Sequence, residues 1–431
     1  MKDLSAELAG VKLKNSLIVG AGPNTKNYTT CVNCIKAGFG GIVIRSLHKK
    51  SLHDMKPAEA EYWWIYNGKG TNFLKSFYSL QSLGTPAKRV NTKNAPGFGG
   101  AAPYPTHEQW VEEVQKITRV AKEYECKVFA QVGWCGVRIS DDDIWQQEAK
   151  DLVDAGVDAI ELHTSPGPFA EPGRCMMLDP YKYLGRPIEL AKKSVNVPVF
   201  AKLTADGCDL VGLSDYAQKM GADGLVPCTR WASMTIDTDN EKKPILGGPG
   251  YGGPWAVPIM NAFIYRMRNA NKSLGTIAED TTPTFPDLSP VTVPIIPSGG
   301  VRFGADVIGY IIAGANGAQI CAQVMIEGMG AAKRIENEII TWMDKKGYDK
   351  LSDLRGTVRT FKREEREHIP QLLASIDKDL CNGCETCVKS CTNEAISMSD
   401  GTAVVDESRC EGCRTCFFVC PVQAVSLSEV Q

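Results

Sequence analysis

The chain reads as an α/β protein: a (β/α)8 TIM barrel followed by a small α+β domain of the bacterial-ferredoxin kind. Three observations predict this. Short β-branched runs alternate with longer amphipathic stretches through the first 346 residues, the pattern of βα units around a parallel sheet. Eight such runs can be counted, the number that closes a barrel, with an open doubly wound sheet as the alternative. The C-terminal segment repeats one cysteine spacing twice. The expected domains are 1–370, with a lid insertion at about 47–106, and 371–431.

The eight strand candidates are Ser16–Ala21, Gly41–Ser46, Lys127–Val132, Val157–His163, Val199–Leu203, Asp223–Cys228, Val293–Ser298 and Ala318–Val324. Helix-like segments separate them, for example His107–Tyr124 and Asp141–Ala155. Barrel chemistry sits in the loops after the C-terminal strand ends. Those ends are rich in polar and small residues here: Arg45-Ser46, Trp134-Cys135, His163-Thr164-Ser165, Lys202, Thr229-Arg230, Ser298-Gly299-Gly300 and Cys321-Ala322. Two insertions interrupt the count. Residues 47–106 carry Tyr62, Trp63, Trp64 and Tyr66, and residues 229–254 end in a glycine-rich run. Connections of that length are usually functional lids or partner surfaces.

Cys381, Cys384, Cys387 and Cys391 form C-x2-C-x2-C-x3-C, and Cys410, Cys413, Cys416 and Cys420 repeat it 29 residues later, closed by Pro421. Such runs hold two [4Fe-4S] clusters, the fourth cysteine of each ligating the cluster of the other run. One cluster should take Cys381, Cys384, Cys387 and Cys420; the other Cys410, Cys413, Cys416 and Cys391. Structural zinc and disulfides are the competing readings. Zinc uses two pairs and leaves the third and fourth cysteine of each run unexplained. The first run has Thr392 where proline is usual, which removes no ligand.

The formal net charge is −2 and charged residues make up 23% of the chain, which gives no argument for nucleic-acid or membrane binding. The start Met1-Lys2-Asp3 shows no signal-peptide pattern. The apolar stretch from Val307 to Ile326 is broken by Gly314, Asn316, Gly317, Gln319 and Gln323; a membrane span needs a cleaner run. Eight of the 16 cysteines lie outside the two runs, scattered as reduced thiols would be. A cytoplasmic, anaerobic enzyme is the expectation, as a homo- or hetero-oligomer. The turn Ser298-Gly299-Gly300 after the seventh strand, and Cys321-Ala322 at the eighth, occupy the recurrent phosphate site of barrels. A phosphate site in a chain with two clusters calls for a cofactor that exchanges single electrons and a hydride, which flavin does. No G-x-G-x-x-G dinucleotide fingerprint follows a strand.

With these segments in hand, the chain resembles the dihydroorotate dehydrogenase superfamily, and especially the FMN barrel plus ferredoxin module of dihydropyrimidine dehydrogenases. The matching segments are Leu8-Ala9-Gly10-Val11 with Asn15, Ala37-Gly38-Phe39-Gly40, Ala201-Lys202-Leu203-Thr204, Gly221-Ala222-Asp223-Gly224, Gly299-Gly300 and both cysteine runs. The resemblance implies FMN with its phosphate on Gly299, Gly300, Cys321 and Ala322. It sets Gly20 and Ala21 against the ring and Lys202 beside it, with Arg45, Ser46, Thr229 and Gly253 completing the cofactor set. A lysine pointing into a barrel is costly unless it serves a ligand or finds a partner.

The departures bear on substrate. Where the family has asparagine and a reactive cysteine after strand four, this chain has His163-Thr164-Ser165-Pro166. Ser165, Cys175 and His163 are the candidates for proton transfer; for His163 a structural role is an equal alternative. The family's lid asparagine becomes Lys75, and its asparagine-threonine after strand six becomes Thr229-Arg230. Amides donate and accept hydrogen bonds, whereas Arg and Lys only donate, so a pyrimidine's ring edges would be poorly matched. Arg45, Lys75, Arg230 and His163 favour a planar anion, and Trp134, Trp231, Trp255, Trp63 and Trp64 would wall a ring. Pairing of these cations with lid carboxylates is the alternative. Three functions stay open: an FMN and iron–sulfur oxidoreductase acting on a C=C or ring bond, the iron–sulfur subunit of a true dihydropyrimidine dehydrogenase, or a non-catalytic electron-transfer subunit. Ferredoxin or a partner flavoprotein would supply the electrons.

Overall fold

The computed structural model describes residues 2–46, 106–133, 142, 144–164, 172–228, 253–270, 288–358 and 372–429, of which 144, 172–174, 228 and 429 as backbone alone, as are 63–66, 88–91, 231–237 and 243–251. They form two compact units, one ending at residue 358 and one spanning 372–429. In the first, seven parallel strands follow one another around a curved sheet: Leu17–Val19, Gly41–Ile44, Lys127–Val132, Ala159–His163, Val199–Thr204 and Gly224–Cys228 in chain order, with Ala318–Ile320 beside the first. The segment 293–298 closes the ring. It bridges Leu225 through Ile295 on one side and Gln319 through Ser298 on the other. Pro294 and Pro297 have no N–H to give a ladder, so closure rests on a few bonds such as Ile296 N to Leu225 O at 2.9 Å and Gln319 N to Pro297 O at 2.8 Å. The expected strand Ala318–Val324 is corrected: it stops at Ile320, and Ala322–Glu327 is a helix that Cys321 caps. An apolar run does not by itself reveal where strand gives way to helix.

Alternation along the strands divides the barrel interior into two layers. Ile18, Val43, Phe129, Ala159, Phe200, Val226 and Ile296, one from each of seven strands, form an apolar floor. A hairpin of Ala6–Leu8 and Val11–Leu13 plugs it from below, adding Leu8, Val11 and Leu13. The rings of Phe129 and Phe200 meet edge to face, centroids 5.5 Å apart. Two residues further along the same strands, toward their C-terminal ends, stand Gly20, Arg45, Gln131, Glu161, Lys202, Cys228 and Ser298. The layer above the floor is polar. Outside the sheet, helices such as His107–Glu123, Leu210–Lys219, Gly304–Ala313 and Ala331–Lys346 bury apolar faces against it. The expected helix over 141–155 has a wide turn at Ile144–Glu148 before Ala149–Asp154.

The second unit pairs Leu372–Ile376 with Val425–Glu429 and Ile396–Ser399 with Thr402–Val405, both antiparallel. Each cysteine run feeds a short helix, Thr386–Ser390 or Thr415–Val419. The duplication extends to the backbone. Glu385 and Arg414, 29 residues apart, both take φ near +60°, and so in the same way do Glu394 and Gln423, near +50°. No helix among the described residues is long and apolar enough to cross a membrane.

Candidate functional site

At the C-terminal end of the barrel the polar layer is tied together by one carboxylate. Glu161 Oε1 accepts from Lys202 Nζ at 2.8 Å and from Gln131 Nε2 at 2.9 Å, and Oε2 accepts from Gln319 Nε2 at 2.5 Å. Lys202 Nζ also donates to Gln319 Oε1 at 3.3 Å. All four side chains are buried, Glu161 to 1% exposure. The lysine therefore has a protein partner, which its place in the sequence did not reveal. Gln131, Glu161 and Gln319 were missed, although each stands at an inward position of a strand already recognised. His163 ends its strand in register with Lys202 and is half-buried. Thr164 donates to the Lys202 carbonyl at 3.0 Å, which fixes the strand end below it.

The phosphate-site expectation has two halves. The turn at Gly299–Gly300 has positive φ at both residues, and Tyr310 Oη donates to the Gly299 carbonyl at 2.7 Å. A Cβ on Gly300 would lie 2.8 Å from Gly253 O and 2.8 Å from Val257 Cγ2, so the turn packs backbone to backbone with the Gly253 loop. The following helix does not offer its N-terminus as expected: Asp306 accepts from Arg302 N and Phe303 N, and Glu338 accepts from Gly304 N. On the neighbouring strand, Cys321-Ala322 opens the helix Ala322–Glu327, whose first-turn N–H groups have no partner within it. Asn24 Nδ2 donates to Cys321 O at 2.9 Å and ties this end to the loop after strand one. That loop starts at Gly20-Ala21, with Gly20 N bonded to Ile320 O at 3.0 Å.

These groups fit FMN. Ser46 Oγ is buried at the end of strand two with no hydrogen-bond partner among the described residues, a polar atom a bound heterocycle would satisfy. Lys202 presents a cation in the polar layer, and the backbone of Gly299–Gly300 and Cys321-Ala322 suits an anion. Arg45 is half-buried beside Ser46, its N–H bonded to Thr25 O. Cys175 is half-buried on the helix Pro172–Leu178, and Trp255 caps Ala256–Arg268. Ser165, Lys75, Thr229, Arg230, Trp134 and Cys135 lie outside the described residues, as do the side chains of Trp63, Trp64 and Trp231.

The cysteines of the second unit line two separate cavities. Cys381, Cys384, Cys387 and Cys420 surround one; Cys391, Cys410, Cys413 and Cys416 surround the other. Each cavity thus takes three cysteines from one run and the fourth from the other run. None of the eight is in a disulfide, and among the described residues no three such groups stand close enough to share a single metal ion. Cavities of that kind suit a polynuclear cluster better than zinc. Backbone N–H groups point at the sulfurs, Ala424 N to Cys420 Sγ at 3.2 Å and Ala395 N to Cys391 Sγ at 3.3 Å. The hydrogen bond with the Thr386 hydroxyl, and then the Thr386 N–H, hold the Cys384 thiol below its ordinary range; Thr415 does the same for Cys413. Burial pushes Cys387 and Cys416 up, a cost that cluster ligation, which needs thiolates, must offset.

Comparison with known proteins agrees with both units. Residues 186–343 match the family model described as dihydroorotate dehydrogenase, and residues 374–427 the 4Fe-4S dicluster domain. The chain is 23% identical over 404 residues to the NAD-dependent dihydropyrimidine dehydrogenase subunit PreA of Escherichia coli K12, covering 90% of this chain and 85% of that one. It is 28% identical over 249 residues to the catalytic subunit of dihydroorotate dehydrogenase B (NAD(+)) of Alkaliphilus metalliredigens, 57% of this chain and 73% of the other. The crystal structure of the Eimeria tenella dihydroorotate dehydrogenase with ferulenol shares the fold, with a TM-score of 0.57 at 18% identity over 82% of this chain and 88% of that one. The chain is an oxidoreductase with FMN and two [4Fe-4S] clusters as cofactors: a TIM barrel, part of which matches the dihydroorotate dehydrogenase model, joined to a dicluster domain.

Proposed function

We propose that this oxidoreductase acts on a C=C or ring bond of a planar, anionic small molecule and exchanges electrons through its dicluster domain. The observation that carries the reading is the polar layer above the barrel floor with Lys202 in it, beside a buried Ser46 Oγ that has no hydrogen-bond partner among the described residues and near the glycine turn at Gly299–Gly300. Bound FMN supplies a ring able to exchange a hydride with the substrate and single electrons with iron–sulfur clusters. Gly299, Gly300, Cys321 and Ala322 hold its phosphate, Gly20 and Ala21 back its ring, and Arg45, Ser46, Thr229 and Gly253 complete the cradle. Lys202 keeps a positive charge at the ring edge, where negative charge develops on reduction. His163, in register with Lys202, moves a proton at the substrate, with Ser165 and, on the helix Pro172–Leu178, Cys175 as the other two candidates. Lys75 and Arg230 recognise the substrate's anionic group.

Similarity to the E. coli dihydropyrimidine dehydrogenase subunit along 90% of this chain favours a second reading, the iron–sulfur subunit of a dihydropyrimidine dehydrogenase fed by a flavoprotein partner. Anaerobic purification with iron and flavin analysis, followed by turnover screens, separates the readings. The first expects FMN, about eight irons per chain from two four-iron clusters, and activity on unsaturated or aromatic carboxylates. Activity on uracil or thymine would favour the second. Iron without FMN would overturn both and leave a relay protein.

A further inference from the structure

A lysine and a glutamate buried together in a barrel are an expensive pair unless their geometry is used. Here the pair is held firmly. Glu161 receives three donors, Gln131 and Gln319 fix its two oxygens from opposite sides, and Gln319 contacts both members. The register sets their order. Glu161 pairs with Gln131 on strand three, while Lys202 pairs with His163, two residues nearer the mouth on strand four. Lys202 therefore leaves its strand nearer the mouth than Glu161 does, with its ammonium held on the Glu161 carboxylate.

We propose that Glu161 is a positioning residue that aims the Lys202 ammonium at the flavin and tempers its charge, thereby setting how strongly the site prefers reduced over oxidised FMN. This rests on the reading that FMN binds with its ring edge at Lys202. Reduced flavin carries more negative charge than oxidised flavin, so a cation at the ring edge favours the reduced form and a neighbouring anion opposes it. Glu161 offsets part of the lysine's charge, and Gln131 and Gln319 keep it from swinging up to the ring itself. Without the carboxylate, Lys202 would act on the ring at full strength.

The test measures FMN retention by the anaerobically purified full chain over a dilution series, once oxidised and once reduced with dithionite, giving the ratio of the two Kd values. Glu161→Gln should shift that ratio about tenfold toward the reduced form, the size of a coupling between contacting charged groups. Lys202→Met should shift it the opposite way, and in that background Glu161→Gln should have little further effect. Glu161→Asp, which keeps the charge but withdraws it by one methylene, should shift the ratio in the same direction as Glu161→Gln but less, and serves if Glu161→Gln does not fold. An unchanged or lowered preference for reduced FMN in the Glu161 variants, with FMN retained, overturns the inference alone. So does an equal shift with and without Lys202. Wild-type protein that binds no FMN in either state overturns the underlying reading and the inference with it.

Discussion

The barrel interior holds two rings of side chains only two residues apart along the strands, and they obey opposite rules. The floor is apolar, contributed by seven strands and the N-terminal hairpin. The layer above is built of Gln131, Glu161, Lys202 and Gln319, bonded to one another and buried. Apolar burial stabilises the fold in proportion to area, whereas a buried ion pair with its amides roughly breaks even at best. The floor supplies stability. On the proposed function, the polar layer acts on a ligand instead.

Three measurements can break or sharpen that contrast. Phe200→Ala removes the ring packed edge to face on Phe129 and should cost about 3–5 kcal/mol in denaturant unfolding of the barrel, with the absorbance of the iron–sulfur clusters unaltered in the folded fraction. A loss under about 1 kcal/mol would mean that the floor is not the structural layer. In the polar layer, Lys202→Met alone strands the Glu161 carboxylate and should cost about 3–5 kcal/mol, whereas adding Glu161→Gln should recover most of it. FMN retention should stay low in the double variant. Recovery of flavin together with stability would show that the pair is scaffold after all. The smallest effect belongs to Tyr310→Phe. It removes the hydroxyl that holds the Gly299 carbonyl and should cost about 1 kcal/mol with a modest weakening of FMN phosphate binding, read by the same dilution series.

The cysteine spacing, the eight strands and the glycine turn were legible because each is carried by neighbouring residues: a four-ligand pattern within eleven positions, β-branched runs, a turn that only small residues fit. Glu161 was not. Nothing local marks it, and its partners come from strands three, five and eight, up to 158 residues away. A ring of strands has to close before inward positions become neighbours, so alternation could place Glu161 inside but could not pair it with Lys202. The seventh strand was legible in position and not in form, since its two prolines leave only isolated bridges. The helix after it looked open to phosphate, but Asp306 and Glu338 occupy its first N–H groups. Of the cations expected around the substrate, Arg45 and His163 fall at strand ends as expected, while Lys75 and Arg230 lie outside the described residues.

The exchange of fourth cysteines in the C-terminal unit has a consequence for how that unit can fail. Neither repeat owns a complete ligand set, so neither half could be excised and kept working. Oxidative damage that opens one iron site loosens a strut of its neighbour, and an assembling chain has to fold both repeats before either site is whole. Such a unit should be gained or lost in a single event.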